Sequence, residues 1–252
     1  MVTLQTDNLS KDFMGLKALQ NVSLQIKAGE IFGLIGPNGS GKTTFFNLIT
    51  GFHKPSAGTI TYQGEPITNL NSHEIARKGI VRTFQIVSLF PTLTSLENVI
   101  TGMHLMTKSN FLGSFIFSKT FQAQKRSMEA KALELLRFMG IDDQKDVVAD
   151  ALHLGDQRKL EIAIALACSP RVLLLDEPAS GMSPSECNNL MAIIRKIQDR
   201  GTTTVIVEHN MRFVMGLCNR IAVLSYGEQI AEGTPQEIKS NEKVVSCYLG
   251  EC

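Results

Sequence analysis

Residues Gly36, Pro37, Asn38, Gly39, Ser40, Gly41, Lys42 and Thr43 fit the spacing G-x-x-x-x-G-K-[ST]. Glycines at these places let the backbone curl until successive N–H groups face phosphate oxygens. A helix opening immediately afterwards adds the partial positive charge of its first turn. Lys42 then supplies a point charge for the β- and γ-phosphates, and Thr43 a hydroxyl for Mg²⁺. Asn38, Gly39, Ser40 and Thr44 complete the candidate contacts. The spacing therefore marks a nucleoside triphosphate site; the plain alternative is a glycine turn joining a strand to a helix.

A second group ends an apolar run, Val172-Leu173-Leu174-Leu175-Asp176-Glu177-Pro178. A carboxylate at the end of a buried strand needs a cation, a donor cluster or a proton. Nucleotide-bound Mg²⁺, held through water, would meet that need at Asp176. Glu177, one residue further, can orient and deprotonate an attacking water. Glu208, His209 and Asn210 follow another apolar run, Thr202 to Val207. Ligands of open α/β sheets bind beyond the carboxyl ends of the strands, so His209 becomes a candidate γ-phosphate contact. Taken alone it is an ordinary loop histidine.

The elements that must position these residues are legible as patterns. Ile31–Ile35, Val172–Leu175 and Thr202–Val207 are continuous apolar or β-branched runs, as expected of parallel strands covered on both faces. Leu190, Ile193, Ile194 and Ile197 recur at helical spacing between the last two. A helix over Thr44–Thr50 follows the glycine loop and stops at Gly51. Val2 and Leu4, then Val22, Leu24 and Ile26, alternate at period two and predict an antiparallel sheet. Thr59–Tyr62 runs into a Gln63-Gly64 turn, and Ile221–Ser225 with Gln229–Ala231 reads as a late hairpin. The expected fold is α/β: a core with a mainly parallel sheet, an N-terminal antiparallel β subdomain and an inserted helical subdomain. The core is drawn at 1–93 and 157–252, and the helical insertion at 94–156. Phe111, Phe115, Phe117 and Phe121 crowd one part of that insertion, either as its internal packing or as a surface for a partner.

Composition narrows the classes. The chain has 252 residues, with 25 Lys+Arg against 24 Asp+Glu and a formal net charge of +1, which argues against a nucleic-acid partner. Mean hydropathy is high, at +0.04, yet no apolar stretch approaches the ~18–20 residues needed to span a bilayer. The first residues lack the pattern of a secretory signal. Cys168, Cys187, Cys218, Cys247 and Cys252 lack metal-ligand or redox spacing and read as reduced thiols.

Together with Gln85 and the run Leu152-His153-Leu154-Gly155-Asp156-Gln157-Arg158, these motifs resemble an ABC-type ATPase in order and over essentially the whole chain. Gly79–Gln85, Gly155–Ala163 and the ending Tyr248-Leu249-Gly250-Glu251 are most similar to one of the paired ATP-binding subunits of bacterial branched-chain (hydrophobic) amino acid uptake transporters. The resemblance implies the P-loop NTPase fold and ATP hydrolysis with Mg²⁺. It implies two ATPase subunits arranged head to tail, as a paralogous pair or a homodimer. Two transmembrane permease subunits and a periplasmic or extracellular solute-binding protein complete the set, at the cytoplasmic face of the inner membrane. It further implies that Phe13 stacks on adenine and that Gln85 touches Mg²⁺ or the attacking water. His209 matches the switch histidine. His153, Gly155, Asp156 and Gln157 would meet the ATP held by the opposite subunit.

The sequence departs from the wider pattern at His153 and Leu154, where Ser and Gly are usual, and at Ser183, where Asp is usual. An imidazole is larger than a serine hydroxyl and titrates near neutral pH, so trans stimulation is expected to be altered. Relatives with this architecture also serve urea, amide or aromatic-acid importers, so the substrate does not follow from the motifs. Soluble ABC ATPases of repair or translation are a second class, and a single phosphate loop and the lack of CxxC pairs argue against them; a degenerate, binding-only regulatory subunit is a third, which intact Lys42, Asp176, Glu177 and His209 argue against.

Overall fold

The computed structural model describes residues 1–83, 89–104 and 119–249. The chain divides into two units, one of residues 1–82, 171–180 and 187–252, the other of residues 83–170 and 181–186. The second unit is wider than the 94–156 drawn from the sequence, because it takes in α5 (Leu154–Ala167) and the turn opening α6 (Pro184–Asp199).

In the first unit the period-two runs become β1 (Val2–Phe13) and β2 (Leu16–Lys27), paired antiparallel. They belong to a four-stranded sheet of order β2-β1-β4-β5, with β4 at Ala57–Tyr62 and β5 at Glu65–Pro66. Leu4, Leu9, Leu19, Val22, Leu24, Ile26 and Ile60 are buried, so alternation sends one side of each strand into the core.

The second sheet has six strands in the order β10-β9-β3-β8-β7-β6. Its members are β3 (Ile31–Ile35), β6 (Ile80–Arg82), β7 (Val172–Asp176), β8 (Thr203–Val207), β9 (Arg220–Ser225) and β10 (Glu228–Gly233). Among the described residues of this sheet, only the β9–β10 hairpin is antiparallel. Every residue of β3, β7 and β8 is buried, the outcome expected of continuous apolar strands. The register sets Leu34 opposite Val207, and Val207 opposite Asp176. Gly36, Glu177 and Glu208 therefore leave the sheet at one edge. Helices α1 (Lys42–Ile49), α2 (Ser72–Arg77), α7 (Met211–Leu217), α8 (Pro235–Lys239) and α9 (Glu242–Leu249), with most of α6, complete this unit. Helix α1 begins at Lys42, two residues before the Thr44 read from the sequence.

The second unit is built on α3 (Ser95–His104), α4 (Lys119–Met139) and α5, which pack on one another. Val99, Met103, Ala132, Leu136, Met139, Leu160 and Ala163 are buried. Helix α4 ends before Gly140, whose φ of 69° suits a residue without Cβ. Gln85, Phe111, Phe115 and Phe117 lie outside the described residues, as does the side chain of Phe121. No helix among the described residues is long and apolar enough to cross a membrane. The four described cysteines are unbridged and buried.

Candidate active site

The loop between β3 and α1 can form because two of its glycines tolerate approaches no side chain would. A Cβ on Gly36 would stand 2.1 Å from the Leu224 carbonyl oxygen, and one on Gly41 would stand 2.6 Å from that of Ala18. Gly41 caps α1 with φ 103°, which aims the first turn of the helix into the loop. Ser40 is buried, its carbonyl accepting from the Gly227 N–H at 3.1 Å.

Lys42 folds back over the loop. Its Nζ donates to the carbonyls of Gly36 at 2.8 Å and Pro37 at 2.9 Å. Burial pushes its pKa below the usual lysine value, while the carboxylates of Glu177 and Asp176 pull it back up. Lys42, Glu177 and Asp176 thus already feel one another's charge.

Asp176, at the end of β7, is 2% exposed and ion-paired to Arg82 at 2.6 Å. Arg82 closes β6, donates to Asn47 Oδ1 on α1 at 2.7 Å and stacks over the Phe46 ring at 5.3 Å. No motif in the sequence assigns Arg82 a role. The counter-charge expected for Asp176 is a metal, whereas strand pairing delivers an arginine from 94 residues away. The available signal was a lone arginine ending the Gly79-Ile80-Val81-Arg82 run.

Glu177 stands in the left-handed region with φ 49°, rare for a residue with a side chain. Its N–H donates to the Val207 carbonyl at 2.8 Å. His209 Nδ1 lies 3.8 Å from Glu177 Oε1, with the His209 side chain 59% exposed. The structure thus brings Lys42, Asp176, Glu177 and His209 to one edge of the six-stranded sheet, with Thr43 and Thr44 in the first turn of α1. Phe13 is 38% exposed at the end of β1, edge-on to His53 at 5.3 Å and under Lys11 Nζ. It offers an accessible ring.

His153, Gly155, Asp156 and Gln157 belong to the second unit, at the start of α5. His153 is the N-cap residue, exposed and making no side-chain capping bond. Gly155 is buried beneath Glu186, whose Oε1 would stand 2.5 Å from an added Cβ. The other oxygen of Glu186 accepts from the N–H and hydroxyl of Ser183 at 2.8 and 2.6 Å, closing the N-terminus of α6. Burial alone would raise the Asp156 carboxyl; hydrogen bonds from Lys159 and Gln144, both 2.8 Å, outweigh it and hold the pKa below the usual value.

The donor set suits a magnesium nucleotide. Backbone amides and an ammonium match phosphate oxygens, and the Thr43 hydroxyl with the Asp176 carboxylate offers hard oxygens. The ABC transporter family model matches residues 19–180, and a second model, branched-chain amino acid ATP-binding cassette transporter, matches 228–251. The chain belongs to the ABC transporter ATPases.

Among curated relatives, the high-affinity branched-chain amino acid transport ATP-binding protein LivG of Salmonella typhimurium is 41% identical over 98% of both chains. BraF of Pseudomonas aeruginosa, named for the same transport, is 39% identical over 98% of both. An ABC transporter cassette solved in its ADP conformation superposes with a TM-score of 0.87 at 32% identity, covering 99% of each chain. Another cassette, solved as a dimer with ADP and Pi, gives 0.79 at 28%, covering 92% of this chain and 98% of that one. This ABC ATPase therefore has the P-loop NTPase fold and hydrolyses ATP.

Proposed function

We propose that this chain is the motor subunit of an importer for branched-chain amino acids or related small solutes, working at the cytoplasmic face of the inner membrane. The carrying observation is the strand register that sets the phosphate loop, Asp176, Glu177 and His209 at one sheet edge. The substrate class is supported by the names of the relatives and by the C-terminal match.

In this reading the amides of Gly39 to Thr44 and the Lys42 ammonium hold the β- and γ-phosphates, and Phe13 carries the adenine. Thr43, Asp176 and Gln85 would hold Mg²⁺, which when bound draws charge from the phosphate oxygens. Glu177 accepts a proton from the water attacking the γ-phosphorus; the new P–O bond forms as the β–γ bridge breaks, giving ADP and phosphate. His209 donates to the γ-phosphate. A second ATPase subunit presents its counterpart of Gly155 and the α5 N-terminus to the same nucleotide, and two permease subunits convert closure into alternating access.

The test is reconstitution with the permease and second ATPase subunits in liposomes, with the solute-binding protein outside. ATP-driven uptake of radiolabelled leucine that stops with Glu177→Gln is the expected result. Uptake of urea, an amide or an aromatic acid instead would move the substrate class. ATP turnover indifferent to the permease would overturn the transport role.

A further inference from the structure

Glu208 precedes His209 and carries no function so far. It is fully buried, 0% exposed, one residue past β8. Both of its oxygens are engaged by backbone. Oε1 accepts from the Ala179 N–H at 2.9 Å, and Oε2 from the N–H groups of His209 at 2.9 Å and Asn210 at 3.0 Å. A carboxyl group is tolerated at this depth because these donors satisfy both of its oxygens.

The two segments it ties together are those that carry the proposed base and the proposed phosphate switch. Ala179 is two residues beyond Glu177, and the Ser180 N–H returns to the Glu177 carbonyl at 3.1 Å. Glu177 occupies a costly backbone conformation, which persists only where the surroundings over-determine it. His209 Nδ1 lies 3.9 Å from Glu208 Oε2, beyond hydrogen-bond distance, so the carboxylate reaches His209 through its backbone and not its ring.

We propose that Glu208 is a positioning residue: its buried carboxylate clamps the loop after Glu177 to the loop of His209, keeping the base and the imidazole in one fixed relation to the bound γ-phosphate. This rests on the roles given to Glu177 and His209 above. Neither near-isostere can replace it. A glutamine has one oxygen and one NH₂ group, so it satisfies Ala179 or the His209–Asn210 pair and sets donor against donor on the other side. An aspartate keeps the charge but is one methylene too short to span both loops.

The test uses the assembled ATPase–permease complex carrying Glu208→Gln or Glu208→Asp, beside Glu177→Gln and His209→Ala. A misplacement near 1 Å costs up to about 100-fold, so Glu208→Gln should lower kcat by about 10- to 100-fold. KM for ATP should stay within about 3-fold, because the clamp acts on the reacting geometry and not on ground-state binding. Amide hydrogen exchange should quicken at Ala179 or at His209 and Asn210, with α1 unchanged. Glu208→Asp should show the same split, and it carries the test if the glutamine variant does not assemble. Either variant keeping kcat within about 2-fold of the parent, or losing ATP affinity and turnover equally with exchange rising throughout, overturns the proposal. If Glu177→Gln and His209→Ala also keep full turnover, the catalytic reading of the site falls with it; if those two fail while both Glu208 variants work, only the clamp falls.

Discussion

The N-termini of α1 and α5 are both candidates for meeting phosphate, and they are built by opposite means. Before α1 the backbone makes the turn, with Gly41 at φ 103° and Gly36 pressed against the Leu224 carbonyl. Before α5 the backbone is ordinary: His153 has φ −64° and ψ 150°, and the approach to Gly155 is made by the side-chain tip of Glu186. Around α1 the charged groups are internally engaged, Lys42 by the carbonyls of its own loop and Asp176 by Arg82. At the start of α5, His153 and Leu154 are exposed. A loop hemmed in by backbone carbonyls has no freedom to give way, whereas one bounded by a side-chain tip can adjust.

The largest expected effect tests the α1 side directly. Glu177→Gln removes the proposed base and should cut ATP turnover by about 10²–10⁴ while sparing ATP binding. Steady-state hydrolysis beside nucleotide-binding titration reads both. Next comes Arg82→Met, which leaves the buried Asp176 carboxylate without its 2.6 Å partner. Urea unfolding at pH 7 should show a loss of about 3–5 kcal/mol, with most of it recovered when Asp176 is replaced by leucine as well.

The glycine pair then sharpens the contrast. Gly36→Ala meets a backbone oxygen at 2.1 Å and should weaken ATP binding by about 100-fold. Gly155→Ala meets only the end of Glu186, so ATP affinity of the isolated chain should hold while turnover of the assembled complex falls about 10-fold. Equal losses of affinity in the two variants would erase the distinction. His153→Ala should lower the turnover of the complex about 3-fold. An unaltered turnover would leave phosphate contact at this helix to backbone alone.

The smallest effect is electrostatic. The Asp156 carboxyl titrates below its ordinary 3.8 in the folded chain, so its contribution is present above that value. It is lost as pH falls through the folded pKa. Asp156→Asn should therefore cost about 0.5–1 kcal/mol at neutral pH, and chemical unfolding should find the gap closing below pH 4.

Much of the first unit was legible because its signals are local. Period-two alternation identified β1 and β2, unbroken apolar runs identified β3, β7 and β8, and Tyr226-Gly227 marked the β9–β10 hairpin. The β6 strand is only three residues long, and its order beside β7 depends on pairing across a long stretch of chain. No window of sequence contains both members of that pair. The division of the second unit was hidden for the same reason, since α5 continues in sequence toward β7 but packs with α3 and α4.

By itself the sequence determined the glycine-rich turn between β3 and α1, because the glycine spacing acts within eight consecutive residues and needs only local backbone freedom. It also determined which strands are wholly buried, since hydrophobic pattern alone decides that. Only the tertiary structure decided who partners the buried acids. Arg82 reaches Asp176, and Ala179 reaches Glu208, through strand register; a carboxylate withdrawn from water must be satisfied by whatever the fold brings beside it.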